Sequence, residues 1–169
     1  MSGFDYKTNF ASVMQALKDY NTTTASPNLS LSLTTAVVND NIIGMFPKIE
    51  QVRADKMPTI FVSVNTKEEE YAGIGATGAS GAKKFATVSY DIYAFVGKQA
   101  GGWDNHSSTV ADIHNLARNM EAVFQAEYKL SNTAMWCNPI RTEFSNPLNI
   151  NQNQTMVFYM QLQAKYLFR

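Results

Sequence analysis

Apolar residues recur along this chain at two spacings, one helical and one extended. After Thr8, a candidate N-cap, Phe10, Val13, Met14 and Leu17 fall at i, i+3, i+4 and i+7, which predicts a first helix. Lys18 and Asp19 lie on its polar side, and the run Asn21-Thr22-Thr23-Thr24-Ala25-Ser26-Pro27 ends it, because consecutive threonines and the residue before proline disfavour helix. A second helix is predicted from Ser108 to about Tyr128, where Val110, Ile113, Ala117, Met120, Val123 and Phe124 form one stripe. Thr109 followed by Asp112 is its start signal, with Asp104 or Ser107 as alternative caps.

Alternation predicts the strands. Ile60, Val62 and Val64 share one face of Pro58–Val64, and Ala86, Val88, Tyr90, Ile92, Ala94 and Val96 share one face of Lys84–Val96. In the last fifteen residues Met156, Phe158, Met160, Leu162, Ala164, Tyr166 and Phe168 point one way, opposite Thr155, Gln161, Gln163 and Lys165. Trp136–Phe144 is a further strand limited by Pro139, and Ser145-Asn146-Pro147-Leu148-Asn149 is a turn into the last strand. Leu29–Leu33 alternates over a short span, whereas Ala36–Ile49 is mixed and broken by Gly44 and Pro47, which predicts irregular structure or one helical turn.

This order predicts one α+β domain over residues 1–169: a mainly antiparallel sheet of four to five strands with two amphipathic helices on one face. The other sheet face would carry Phe61, Phe85, Tyr93, Phe95, Val157 and Tyr159 among polar residues. Left bare, such a face is a contact surface for another chain; the alternative is that Val37–Phe46 folds across it.

Composition narrows the chemistry. The 169 residues (18.8 kDa) suit a single domain, large enough to bury a core without a disulfide or metal. Fourteen Lys+Arg balance 14 Asp+Glu, and zero net charge argues against specific nucleic-acid binding, which depends on neutralising phosphates. No apolar signal core precedes Asp19, and no run reaches the ~18–20 residues that span a bilayer, so a cytoplasmic place of synthesis and folding is expected and no membrane partner. The single cysteine, Cys137, excludes an internal disulfide and has no base placed beside it, so a buried apolar role is expected. His106 and His114 have no partners at a metal-binding spacing.

Gly73-Ile74-Gly75-Ala76-Thr77-Gly78 matches a dinucleotide-binding fingerprint, but that chemistry needs a strand-to-helix turn. Here the glycines follow Glu68-Glu69-Glu70, which would repel phosphate, and lead into a strand. The expectation is a long flexible hairpin loop over about residues 66–83 and no cofactor. Nothing in the sequence assembles a catalytic centre, so the chain is not expected to be an enzyme.

An amino-terminal helix, a strand, its loop-linked partner Lys84-Phe85-Ala86-Thr87-Val88-Ser89-Tyr90-Asp91-Ile92-Tyr93-Ala94-Phe95-Val96, a helix of about twenty residues and a closing strand pair follow in order. That layout resembles the tail terminator, or tail completion, proteins of long-tailed bacteriophages and related head–tail connector components. The resemblance covers most of the chain, leaves residues 21–57 without a counterpart, and rests on element order rather than a motif. It implies a structural virion protein of the tail or neck, assembled in the host cytoplasm as a homo-oligomeric ring, typically a hexamer. Such a ring caps the tail-tube protein, ends tube growth and offers its other side to a head-completion or connector protein. It brings no catalytic residues. Glu68, Glu69, Glu70, Tyr71, Gly73, Gly75 and Gly78 would then be candidates for contacts between rings, and Phe61, Phe85, Tyr93, Phe95 and Tyr159 for contacts between subunits. The alternatives are another neck or tail-tube component, or a small ligand-binding domain using the glycine-rich loop.

Overall fold

The computed structural model describes residues 3–21, 41–48, 50, 52, 58–72, 83–97, 106–146, 148–150 and 153–168. Leu29–Leu33 and Gly73, Gly75 and Gly78 lie outside them. Two helices, α1 (Tyr6–Asp19) and α2 (His106–Ala126), accompany six strands: β1 (Ile42–Ile43), β2 (Thr59–Tyr71), β3 (Lys84–Gly97), β4 (Trp136–Phe144), β5 (Leu148–Ile150) and β6 (Asn153–Phe168). The sheet order is β1-β2-β3-β6-β4, with β5 also on β6, and every pair is antiparallel except β1–β2. The protein is therefore α+β, and both helices pack on one face of the sheet as the alternation predicts.

The main core forms where the helical and extended periods meet. Val13, Met14 and Leu17 of α1 and Ile113, Leu116, Met120, Val123 and Phe124 of α2 press on Ile60 and Val62 of β2 and on the even-numbered residues of β3 and β6. Tyr90 and Tyr166 are 1% and 2% exposed, so their hydroxyls must be satisfied inside the core. They bond to each other at 2.8 Å. Burial pushes the Tyr90 phenol up to about 12 and the Tyr166 phenol higher still, which keeps both neutral.

Three helix boundaries differ from the sequence expectation. Helix α1 is capped by Asp5, not Thr8: the Asp5 Oδ1 accepts the Thr8 N–H at 3.0 Å, and the bond holds its carboxyl below the usual range. Helix α2 begins at His106, so Ser107 and Thr109 lie inside it. It ends at Ala126 in a turn whose Leu130, Ser131 and Asn132 have φ of 46°, 54° and 68°. Buried Leu130 anchors this left-handed run, and the Thr133 hydroxyl donates to the Leu130 carbonyl at 2.7 Å. Two contacts brace it against α1, the Thr133 and Ser12 hydroxyl oxygens lying 2.9 Å apart and the Tyr20 hydroxyl donating to Glu127 at 3.1 Å.

The strands run longer than expected. The hairpin loop expected over about residues 66–83 is corrected: β2 continues to Tyr71, paired with Lys84, and the Ala72 N–H closes the ladder on the Lys83 carbonyl at 3.0 Å. Glutamates are poor strand formers, but lysines on neighbouring strands compensate them here. Glu69 pairs with Lys67 and, at 3.2 Å, with Lys84; Glu70 pairs with Lys165 of β6. The expected turn at 145–149 is also partly strand, since Leu148–Ile150 pairs with Asn153–Thr155. Pro139 does not end β4. The strand passes it with a register shift before Arg141, which an edge strand tolerates because the missing N–H faces outward.

Within the mixed segment, Ile42–Ile43 adds a parallel step beside Ile60–Phe61. Gly44 permits this course: a Cβ there would stand 2.9 Å from Cε1 of Phe10, so the chain just after β1 approaches α1 more closely than a side chain would allow without Phe10 shifting.

Candidate functional site

The sheet face away from the helices carries the odd-numbered residues of β3 and β6, and it divides into three zones. At the first, Ile43, Met45 and Val52 cover Phe61, Phe95, Tyr93, Val157 and Ile150 in a second small core. The Phe61 and Phe95 rings meet edge-on at 5.5 Å, and both are buried, at 0% and 7% exposed. These two residues, expected at a subunit contact, are therefore satisfied within the chain, because part of the 37–46 segment and its continuation to Val52 fold across this end. Ile43 and Met45 thus follow the alternative course at this end, and residues 37–40 of that segment lie outside the described residues. Tyr93 and Tyr159 remain half-buried, their rings 5.1 Å apart, with Phe46 standing 6.0 Å from Tyr93.

Beside this cover, toward the β4–β5 edge, an apolar groove of about 450 Å³ opens between Phe46, Tyr93, Phe144, Leu148 and Tyr159, with Glu143 on its rim. Phe46 is 65% exposed, and the edge adds Ile140, Phe144 and Leu148 at 49%, 46% and 45%. Leu148, opposite Thr155, shares this face, whereas Phe144, opposite Phe158, turns its ring to the helix side; exposed apolar side chains on both sides of one edge mark a surface that gains by being covered.

The middle zone is polar and centred on Asp91, which is 8% exposed. A β-bulge between Val64 and Thr66 leaves Asn65 without a cross-strand partner and aims it at Asp91. The Asn65 amide donates to Asp91 Oδ2 at 2.9 Å, and the Tyr159 hydroxyl donates to Oδ1 at 2.6 Å. Burial, then the bond to Asp91, raises the Tyr159 phenol; burial and the same carboxylate raise that of Tyr93. No Lys or Arg pairs with Asp91 among the described residues. Buried carboxylates are usually paired, so here neutral donors do the stabilising.

The third zone is amphipathic. Phe85 is half-buried beneath the Lys165 ammonium, 4.5 Å from its ring centroid, and Leu167 beside it is 45% exposed. Register puts Glu68 and Glu70 on this face, opposite Thr87 and Phe85. Glu69 and Tyr71 lie on the helix side, where Lys84 stands 5.3 Å over the Tyr71 ring. The four residues expected in a mobile loop thus belong to a strand and split between its faces.

Other candidate chemistry stays apart. Cys137 is buried, its Sγ directed at the Glu127 carbonyl at 3.4 Å, and burial pushes the thiol up to about 12, so it is not a nucleophile at neutral pH. The His114 ring packs edge-on against Phe144 at 4.8 Å. No group of three metal-ligating side chains occurs among the described residues, and no described helix is long and apolar enough to cross a membrane.

The fold and face together define an α+β protein with a partly covered second sheet surface, suited to binding by packing and hydrogen bonds. No protein-family model matches the chain, and no curated protein matches it.

Proposed function

We propose that this chain is a structural subunit of a phage tail or neck, a tail-terminator-like protein that closes into a ring at the head-proximal end of the tail. The ring would end tail-tube growth and join the tail to a head connector. One observation carries the reading: Ile140, Phe144 and Leu148 line a sheet edge, next to an apolar groove, at close to half exposure each. Burying such side chains fully gains roughly 1.5–3 kcal/mol apiece, which summed around a closed ring sustains an oligomer. A formal net charge of zero at pH 7 lets copies approach without long-range repulsion.

Native mass spectrometry at micromolar concentration, alone and with tail-tube protein, tests it. A closed ring, or one formed on tube ends with tubes of fixed length, is the expected result. A strict monomer that leaves tube growth unchanged refutes the reading.

A further inference from the structure

Strand register is normally held by apolar alternation, because a one-residue slip sends every side chain to the opposite face. The distal half of β2 lacks that restraint. Thr66-Lys67-Glu68-Glu69-Glu70 holds no apolar residue, and the bulge just before it carries one spare residue, Asn65. With Asn65 drawn into the ladder opposite Ser89, Lys67 would stand opposite Thr87, Glu68 opposite Ala86, Glu69 opposite Phe85 and Glu70 opposite Lys84. Three identical carboxylates in a row make that slip nearly neutral for the ion pairs. Glu69 now pairs with Lys84, and Glu70 with Lys165. After the slip Glu70 would serve Lys84, and Glu69 would take the place of Glu70 beside Lys165. Asn65 would lie on the face of Asp91 in either register.

What separates the two registers is the fate of Lys67. Its ammonium lies 5.5 Å from the Phe4 ring centroid and 5.4 Å from that of Tyr6. Phe4 is itself fixed to β6, edge-on to Tyr166 and to Phe168 at 5.4 Å each, so these rings cannot follow Lys67 across the sheet. We infer that the β2 arm is a two-register switch, latched in its present register by Phe4 and Tyr6. Latched, the sheet face away from the helices shows Thr66, Glu68 and Glu70; slipped, it shows Lys67, Glu69 and Tyr71. The same arm thus offers an acidic strip or a mixed strip bearing a cation and an aromatic ring. The switch does not depend on whether the protein forms a ring.

The test is zero-length carbodiimide cross-linking of the full chain, which joins a carboxylate to a lysine in contact with it, mapped by peptide fragmentation. The parent should give Glu69–Lys84 and Glu70–Lys165 links. Phe4→Leu with Tyr6→Leu keeps apolar bulk and removes the rings. It should raise the exchanged links, Glu70–Lys84 and Glu69–Lys165, about five- to thirtyfold relative to the native ones, the factor that two exposed cation–π contacts supply. Lys67→Gln, with every ring in place, should move the map the same way. Deleting Asn65 from the double-leucine variant removes the spare residue and should restore the native links. Exchanged links that are missing from both variants, or that survive the deletion of Asn65, overturn the inference. So does loss of all four links, which would mean that the arm frays instead of slipping.

Discussion

The two faces of the sheet are built from alternate residues of the same strands, yet they reach different ends. Even-numbered residues from Ala86 to Ala94 and from Phe158 to Tyr166 meet two helices and are below 3% exposed, exposure rising only toward the strand ends at Lys84, Val96, Met156 and Phe168. Odd-numbered residues meet a short covering segment at one end, a polar node in the middle and solvent beyond. Coverage decides this, not composition: both faces carry aromatic rings, and among the described residues only the helix side receives elements long enough to span it. Buried apolar surface is therefore concentrated on one face, and exposed apolar side chains are left on the other.

The comparison breaks most visibly by placing a charge on each face. Leu162→Asp buries an unpaired carboxylate in the main core and should cost about 3–5 kcal/mol or more, enough to abolish cooperative melting. Gln163→Asp, one residue on and half-buried on the other face, should melt within about 1 kcal/mol of the parent. Normal melting of the first variant would mean the register is wrong.

A smaller effect separates the zones of the second face. Phe61→Ala empties the covered end and should cost about 3–5 kcal/mol in a denaturant titration, while Phe46→Ala at the open groove should cost about 0.5 kcal/mol. Similar values would show that the cover is as rigid as the main core.

The buried tyrosine pair gives a pH test. The folded Tyr90 value near 12 lies above its ordinary 10.0, so its contribution is complete below about pH 10 and is lost as pH rises toward 12. Cys137, shifted from 9.0 to about 12, adds to the same alkaline limb. Tyr90→Phe should flatten that limb and cost about 1–3 kcal/mol at neutral pH, because the Tyr166 hydroxyl loses its partner. An unchanged alkaline limb would show that the pair opens to solvent. The least effect is expected from Glu69→Gln. Lys67, then Lys84, hold the Glu69 carboxyl below its ordinary 4.5, so its contribution is present above that pH and fades as acid is added. Because the site is exposed, only a slight loss of acid sensitivity should appear in thermal melts.

The helix-facing residues were legible in the sequence because a single period runs unbroken through each strand. Every even position from Ala86 to Val96, and from Met156 to Tyr166, is buried as alternation requires. What alternation misses is a change of phase and a contact distant along the chain. Nothing in Val64-Asn65-Thr66 announces a bulge, so the meeting of Asn65 with Asp91 and Tyr159 was not visible. Glu68-Glu69-Glu70 looked like loop because, apart from Lys67, the lysines that pair with Glu69 and Glu70 come from β3 and β6, out of sight of any local window. The burial of Phe61 and Phe95 depends on Val52 and Ile150, far from each other in sequence and close only once the sheet exists. The exposed apolar residues of this edge, Ile140, Phe144 and Leu148, had a faint signal, since each lies within three residues of Pro139 or Pro147, and the prolines masked it.

Asn65 also sets the parity of everything distal to it. With one residue extra in β2, Lys67 turns toward the amino-terminal Phe4 and Tyr6, 5.5 and 5.4 Å from their ring centroids, and Glu70 turns toward Lys165. Flattening the bulge with Asn65 retained in the ladder would invert the arm, stripping the first rings of their cation and turning Lys67 to the face of Lys165, whereas excising Asn65 would keep every distal pair on its present face. A one-residue length change in this arm therefore keeps its faces only where a bulge absorbs it, as at Asn65, a rule that separates tolerated insertions from destructive ones before any contact is counted.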